Sequence, residues 1–181
     1  NKLQTLLIQY PAGKLDHSYT IPNSVTSIGN NAAYGCTSLA SVTIPGRVTN
    51  IGDSAFLGCT SLTSITVDAG NSNYSSVDGV LFNKLQTLLI RYPAGILDDS
   101  YTIPDSVTSI EGWAFYNCTS LTNVTIGNSV TSIGSLAFYD CTSLTSVTLP
   151  IIFIDSYPSF SLSSEQVLLY GSPAARDVPL S

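Results

Sequence analysis

A unit of 23 residues recurs along this chain and restricts its fold more than any other feature. The cleanest copy, Ile126 to Thr148, reads Ile-Gly-Asn-Ser-Val-Thr-Ser-Ile-Gly-Ser-Leu-Ala-Phe-Tyr-Asp-Cys-Thr-Ser-Leu-Thr-Ser-Val-Thr. The register does not drift, since Cys36 and Cys59 are separated by 23 residues. One such unit cannot bury its own apolar face, but stacked units bury it continuously. The sequence therefore predicts a repeat solenoid.

A second period of 82 residues lies over the first, because residues 1–29 match residues 83–111 at 24 of 29 positions. This period equals two ordinary units and one enlarged unit, which covers about residues 67–102. The apolar runs Val80–Phe82 and Leu88–Ile90 in the enlarged unit predict an inserted hairpin. We expect hairpin insertions near residues 1–20 and 67–102, and we expect the chain to be part of a longer protein.

Within each unit, apolar and hydroxylated residues alternate over a short stretch, as in Ser41–Ile44. This pattern predicts a strand with Val and Ile inside and Ser and Thr outside. Pro45 ends the strand, and a returning segment follows. Segments such as Asp53–Leu57 have room for a helical turn only, so we predict a parallel strand ladder, mostly β and loop, with short helical turns.

The elements Ile-Pro, Ser-Ile-Gly, Ala-Phe and Cys-x-x-Leu recur in register, joined by Val77–Phe82 and Tyr92–Gly95 in the enlarged unit. In these elements the chain resembles the BspA-like, or Treponema-type, leucine-rich repeats of bacterial surface proteins, over residues 1–150. The resemblance implies a right-handed leucine-rich-repeat solenoid that is secreted or on the cell surface and acts in adhesion or protein binding. Residues 151–181 depart from the unit and are predicted to form a C-terminal cap.

Composition argues against several classes of partner. Charged residues make up only 10% of the chain, its net charge is -6, and its few cationic residues are scattered. No basic patch is present to neutralise phosphates, so nucleic acid and anionic membranes are disfavoured as partners. The sequence also lacks the run of about 18 apolar residues that membrane insertion requires.

Residues that could carry chemistry have simpler explanations. The four cysteines share one repeat position without Cys-x-x-Cys spacing, so we predict buried, reduced thiols rather than zinc ligands or disulfides. His17, the single histidine, is replaced by Asp99 in the second copy of the longer repeat. The loop Asp68–Asp78 lacks the glycine and glutamate of a calcium loop. We therefore predict no catalytic residue, no metal and no cofactor, which argues against an enzyme.

The outward face of the strand ladder is the candidate binding surface. Each of the six predicted strands of this face carries a pair of polar residues at the same two positions. Such a pattern also arises when solvated strand residues are copied by duplication of the repeat. Because this face lacks aromatic and arginine anchors, tight binding would involve Tyr74, Arg91 and Tyr92 of the insertion or another part of a longer protein. The residues of the face are Ser18, Thr20, Ser41, Thr43, Ser64, Thr66, Ser100, Thr102, Asn123, Thr125, Ser146 and Thr148.

The leading hypothesis is a non-enzymatic interaction module that binds a protein or glycan through the strand face or the inserted hairpins. Two alternatives remain open at this stage. In the first, the segment is a structural spacer that carries another domain. In the second, its hydroxyl ladder binds glycans or ice; a flat ladder would argue for ice and a curved ladder against it.

One unit departs from the repeat. Three units carry Ala-Phe where the first full unit has Ala32-Ala33. A neighbouring side chain is expected to fill the missing phenylalanine position, with Tyr34 the nearest candidate, or this coil is looser than the others.

Overall fold

A computed structural model describes residues 5–149 of the chain. These residues form a β-solenoid whose coils stack in parallel, as the 23-residue repeat predicts. No helix occurs between residues 5 and 149. The predicted C-terminal cap, residues 151–181, lies outside the described part.

Each ordinary coil contributes two short strands, one on each long side of the solenoid. The strand side holds β2 (Ser18–Thr20), β4 (Ser41–Ile44), β6 (Ser64–Val67), β10 (Ser100–Thr102), β12 (Asn123–Thr125) and β14 (Ser146–Thr148). The return side holds β1 (Leu6–Leu7), β3 (Ser27–Ile28), β5 (Asn50–Ile51), β9 (Leu88–Arg91), β11 (Ser109–Ile110) and β13 (Ser132–Ile133).

Tight turns occupy the positions where short helical turns were expected. Asn31, Ser54, Trp113 and Leu136 stand at one repeat position, and all four have a positive φ of 54° to 61°. A second left-handed position follows four residues later, at Gly35, Gly58, Asn117 and Asp140. Because a right-handed helix requires negative φ, a residue of this kind at each end prevents a helix from forming.

The enlarged coil contains a three-stranded antiparallel meander. Strand β7 (Tyr74–Val77) pairs with β8 (Val80–Asn83), and β8 pairs with β9. Asp78 and Gly79, with φ of 50° and 82°, form the two-residue turn between β7 and β8. Two successive positive φ angles match the turn type that joins antiparallel strands without splaying them. Strand β9 also pairs in parallel with β11, so the meander is built into the return side.

The meander divides the strand side into two ladders, whereas one continuous ladder of six rungs was predicted. Strands β2, β4 and β6 form one parallel sheet, and β10, β12 and β14 form another. At the open edge of β6, the amide of Ile65 donates to the carbonyl of Gly79, at 2.9 Å. The amide of Val67 donates to Ser76 Oγ, also at 2.9 Å. The hairpin thus provides hydrogen-bond partners for the edge of β6 on which β10 would otherwise have paired.

Apolar residues from every coil form interior columns along the stack. The leucine column is buried in both halves of the stack, because Leu39, Leu62, Leu121 and Leu144 are each at most 4% exposed. Leu39 and Leu62 belong to one core cluster, and Leu121 and Leu144 to a second. The aromatic column begins with a tyrosine in both halves, at Tyr10 and Tyr92, and its later members Phe56, Phe115 and Phe138 are buried.

Tyr34 does not fill the gap in this column at Ala33. Its side chain is 55% exposed, while Ala33 itself is buried. Tyr34 lies one position after the column and therefore points to the outside of the turn.

The four cysteines are buried, as predicted, and are free thiols in the structure. Each thiol lies close to a backbone carbonyl of the preceding coil; Cys59 Sγ is 3.0 Å from the oxygen of Ala33, and Cys141 Sγ is 2.9 Å from that of Phe115. Burial raises the pKa of Cys59 to about 12. The thiol therefore contributes a small apolar body and a weak donor to the stack.

Candidate interaction surface

The predicted polar face is present as two patches in strict register. The N-terminal hydroxyl patch consists of Ser18, Ser41 and Ser64 in one row and Thr20, Thr43 and Thr66 in the next. The C-terminal hydroxyl patch consists of Ser100, Asn123 and Ser146 in one row and Thr102, Thr125 and Thr148 in the next. All twelve side chains are exposed or half-buried, because the alternate residues of each strand turn inward.

The hairpin tip lies beside the edge of the N-terminal hydroxyl patch. Val77 and Asp78 at the tip are exposed, and Val77 is 37% exposed although it is apolar. The strand side therefore presents two polar surfaces and an intervening hairpin, which is a less uniform surface than the sequence predicted.

The three residues expected to act as anchors do not lie on this face. Tyr92 is 1% exposed, and its ring stacks on Phe115 with a centroid separation of 5.2 Å. Arg91 is 8% exposed, and its guanidinium donates to the carbonyl of Trp113. Tyr74 is half-buried, and its hydroxyl accepts a hydrogen bond from the amide of Ile51 at 3.0 Å. The repeat explains this placement, because Tyr92 occupies the aromatic core position of its coil.

The loop Asp68–Asp78, which lacks the residues of a calcium loop, is held together by a buried asparagine. Asn71 is fully buried, and its amide group donates to the carbonyls of Pro45 and Val48. Its side-chain oxygen accepts from the amides of Asn73 and Tyr74, both at 2.8 Å. These bonds give the loop a structural role. Among the described residues, no group of three His, Cys, Asp or Glu side chains could hold a metal ion.

An aromatic cluster on the turn edge was missed at the level of sequence. Trp113 contacts Tyr116 and Tyr139 with ring centroids 5.6 and 5.5 Å apart, and Tyr116 and Tyr139 stack on each other at 6.1 Å. Tyr139 is 38% exposed. The signal lay in the repeat itself, because Tyr34, Tyr116 and Tyr139 all follow the aromatic core position.

Charges are sparse over the described part of the surface. Lys14 and Asp16 form the single ion pair between residues 5 and 149, with 2.5 Å between nitrogen and oxygen. Burial lowers the pKa of Arg91, and the nearby Glu111 partly offsets this effect. Partial burial and the nearby Asp53 raise the pKa of Glu111, which Arg91 partly offsets. In this same range, no helix could span a membrane.

Comparisons with known proteins agree with the repeat architecture. The family model of the BspA type leucine rich repeat region matches residues 14–92 and 98–168, in six copies. Among solved structures, the chain is similar to the pneumococcal vaccine antigen PcpA, at 28% identity and a TM-score of 0.65. It is also similar to a leucine rich cell surface protein of Faecalibacterium prausnitzii A2-165, at 38% identity and a TM-score of 0.65. No curated protein matches the chain.

These similarities extend over much of this chain and a smaller part of each relative. The match with PcpA covers 74% of this chain and 39% of that structure, and the match with the Faecalibacterium protein covers 71% and 34%. A leucine-rich repeat protein of Eubacterium ventriosum shares the fold at 24% identity, with a TM-score of 0.53 over 73% of this chain and 53% of the other. Since the family model matches well over half of the residues, the chain belongs to the BspA-type leucine-rich-repeat family.

Proposed function

We propose that this chain is a non-enzymatic interaction module, displayed on a bacterial cell surface or secreted, that binds a protein partner in adhesion. The observation that carries the proposal is the in-register exposure of twelve polar side chains on two patches flanking an inserted hairpin. The cell-surface description of the Faecalibacterium relative supports the location.

A protein partner fits this surface better than an ice crystal does. Ice binding depends on an uninterrupted, regular array of hydroxyls, and the hairpin separates the two patches after three rungs each. A protein surface, by contrast, accommodates two polar patches and the protruding Val77 between them. Hydroxyl and amide side chains donate and accept hydrogen bonds, which suits the polar surface of a partner without requiring a fixed charge pattern.

The test is a binding screen of the chain against host matrix proteins and a glycan array, followed by single-site variants. We expect Thr66→Lys and Thr125→Lys, one on each patch, to weaken binding by about tenfold if each charge displaces one or two contacts. Thr49→Lys and Thr131→Lys place the same charge on exposed threonines of the return side and serve as matched controls.

The control pair determines how the screen is interpreted. Equal weakening by all four variants would show a general charge effect and contradict a specific role of the patches. Binding to glycans alone would replace the protein partner by a carbohydrate. A chain that binds no member of the panel, although it folds, would favour the spacer.

A further inference from the structure

The junction between the third coil and the meander contains a cleft of about 500 Å³ on the return side. One wall is the turn Ile51–Phe56, and the opposite wall is the turn Glu111–Trp113. Strands β8 and β9 contribute the floor, including Leu88, Ile90 and Arg91. The cleft exists because the meander replaces the close coil-to-coil contact found elsewhere in the stack.

Arg91 is a buried cation without a paired anion. It is 8% exposed, and it forms no ion pair with any carboxylate of residues 5–149. Its one described hydrogen bond goes to the carbonyl of Trp113, although a guanidinium carries five N–H donors. Burial of an unpaired charge is costly, so an anion entering the cleft would gain a strong, preorganised partner.

Two backbone amides of the cleft wall also lack the hydrogen bond that the repeat provides elsewhere. In the preceding coil, the amides of Asn31 and Ala33 donate to the carbonyls of Asp53 and Ala55 in the next coil. The equivalent amides of Ser54 and Phe56 make no such bond to the coil that follows them, within the described residues. By equivalence with Asn31 and Ala33 they point into the cleft, where they add two donors to the guanidinium.

Three of the sequence changes that distinguish the two copies of the longer repeat lie at this cleft. Gln9, Gly29 and Asn31 of the first copy correspond to Arg91, Glu111 and Trp113 of the second. All three of the second set line the cleft. Gln9, in contrast, is exposed. The backbone of the repeat therefore does not require these three residues of the cleft.

We propose that this cleft binds a carboxylate attached to an apolar group, as presented by the C-terminus or an acidic side chain of a peptide. The carboxylate pairs with the guanidinium of Arg91 and the amides of Ser54 and Phe56. The apolar group lies against Trp113 and Ile90. Backbone amides beside an arginine are a recurrent arrangement for carboxylate recognition in proteins.

Two carboxylates, those of Asp53 and Glu111, also line the cleft, and both residues are exposed. Their negative charges oppose the entry of any anion, so binding requires apolar contact with Trp113 and Ile90 in addition to the pairing with Arg91. This arrangement selects amphipathic carboxylates over inorganic anions such as phosphate. The site lies on the return side and is distinct from the hydroxyl patches of the proposed function.

Trp113 provides a direct readout, because it is the single tryptophan of the chain and lines the cleft. Its fluorescence is titrated with N-acetylphenylalanine, which has a terminal carboxylate, and with N-acetyl-aspartyl-phenylalaninamide, which has a side-chain carboxylate. N-acetylphenylalaninamide is the neutral control, and inorganic phosphate is the simple anion. We expect saturable binding of at least one carboxylate probe, about tenfold or more tighter than the neutral amide, and none of phosphate.

Arg91→Gln is the matched variant, because the first copy already carries glutamine at the equivalent position. We expect it to abolish the tenfold preference for the carboxylate while binding of the neutral amide stays the same. An equal response to the amide and carboxylate probes in the wild type, or an unchanged preference in Arg91→Gln, would overturn the proposal. Phenylglyoxal labelling of Arg91, read by mass spectrometry, should also be slowed by N-acetylphenylalanine, which tests the site if the variant does not fold. The probes act on the cleft alone, so their failure would leave the proposed role of the hydroxyl patches untouched.

Discussion

The two halves of the solenoid share one backbone plan and differ in what fills the aromatic column. In the half before the meander the column reads Tyr10, Ala33, Phe56, and in the half after it the column reads Tyr92, Phe115, Phe138. In the second half Tyr92 and Phe115 stack at 5.2 Å, and Phe115 and Phe138 at 4.7 Å. In the first half Ala33 stands between the outer two members, so this contact along the stack is lost.

The coils nevertheless keep the same hydrogen bonds on both sides of the meander. Ala33 donates to Ala55 at 2.7 Å, and Phe115 donates to Ala137 at 2.7 Å. The coil geometry therefore does not depend on an aromatic ring at this position. The backbone ladder sets the shape of each coil, and the aromatic column adds packing energy to it.

The largest effect on this comparison is expected from Phe115→Ala, which puts alanine in the middle of the second aromatic column, as Ala33 stands in the first. The side chain is fully buried between two stacked rings. We expect a loss of about 3–5 kcal/mol in the free energy of unfolding, measured by urea denaturation. Phe115→Leu is the control, because it keeps most of the volume and should cost less than the alanine variant. A loss below about 1 kcal/mol for Phe115→Ala would mean that the column adds little.

Much of the fold followed from the sequence because each coil repeats a local solution. The positions of Val42, Ile65 and Val124 inside, and of their hydroxylated neighbours outside, follow from the alternation within one strand. The cysteine and leucine columns follow from the constant spacing. These features depend on contacts between adjacent coils, which a periodic sequence specifies completely.

The binding-face features that were misplaced lie where the repeat is interrupted. The split of the strand ladder depends on how the Asp78-Gly79 turn meets Ile65, a contact that periodicity does not encode. Arg91 and Tyr92 were taken as surface anchors because the hydroxyl face itself carries no aromatic or arginine residue. They are buried because β9 is also a rung of the return side. The cleft could not be predicted from the repeat for the same reason. The replacement of Gln9 by Arg91 in the second copy was a usable signal.

Two equivalent glycines test how tightly the second half is joined to the first. A Cβ added to Gly95 would lie 2.5 Å from the carbonyl carbon of Ser61 in the coil below. A Cβ added to Gly13, its equivalent in the first copy, meets nothing within 4 Å. We expect Gly95→Ala to destabilise the protein by about 1–3 kcal/mol in a thermal or urea melt. Gly13→Ala should change stability by no more than about 0.5 kcal/mol. Equal effects of the two substitutions would contradict close packing at this junction.

The smallest effect should come from Ala33→Phe, which gives the first half the column of the second. Tyr10 lies 4.7 Å from Tyr19, and Tyr92 lies 4.8 Å from Tyr101, between ring centroids. Tyr10 has therefore not moved away from its partner to fill the position of the missing ring. Since Tyr34 points outward as well, we expect the space to accept a phenylalanine at a gain of about 1 kcal/mol in the free energy of unfolding, once adjustment of the neighbours offsets part of the burial. Tyr34→Ala, which alters an exposed side chain next to the site, is the control and should leave stability nearly unchanged. A fall in the urea midpoint of Ala33→Phe would show that Phe56 and its neighbours have already closed over Ala33, and that the two halves pack differently despite their shared hydrogen bonds.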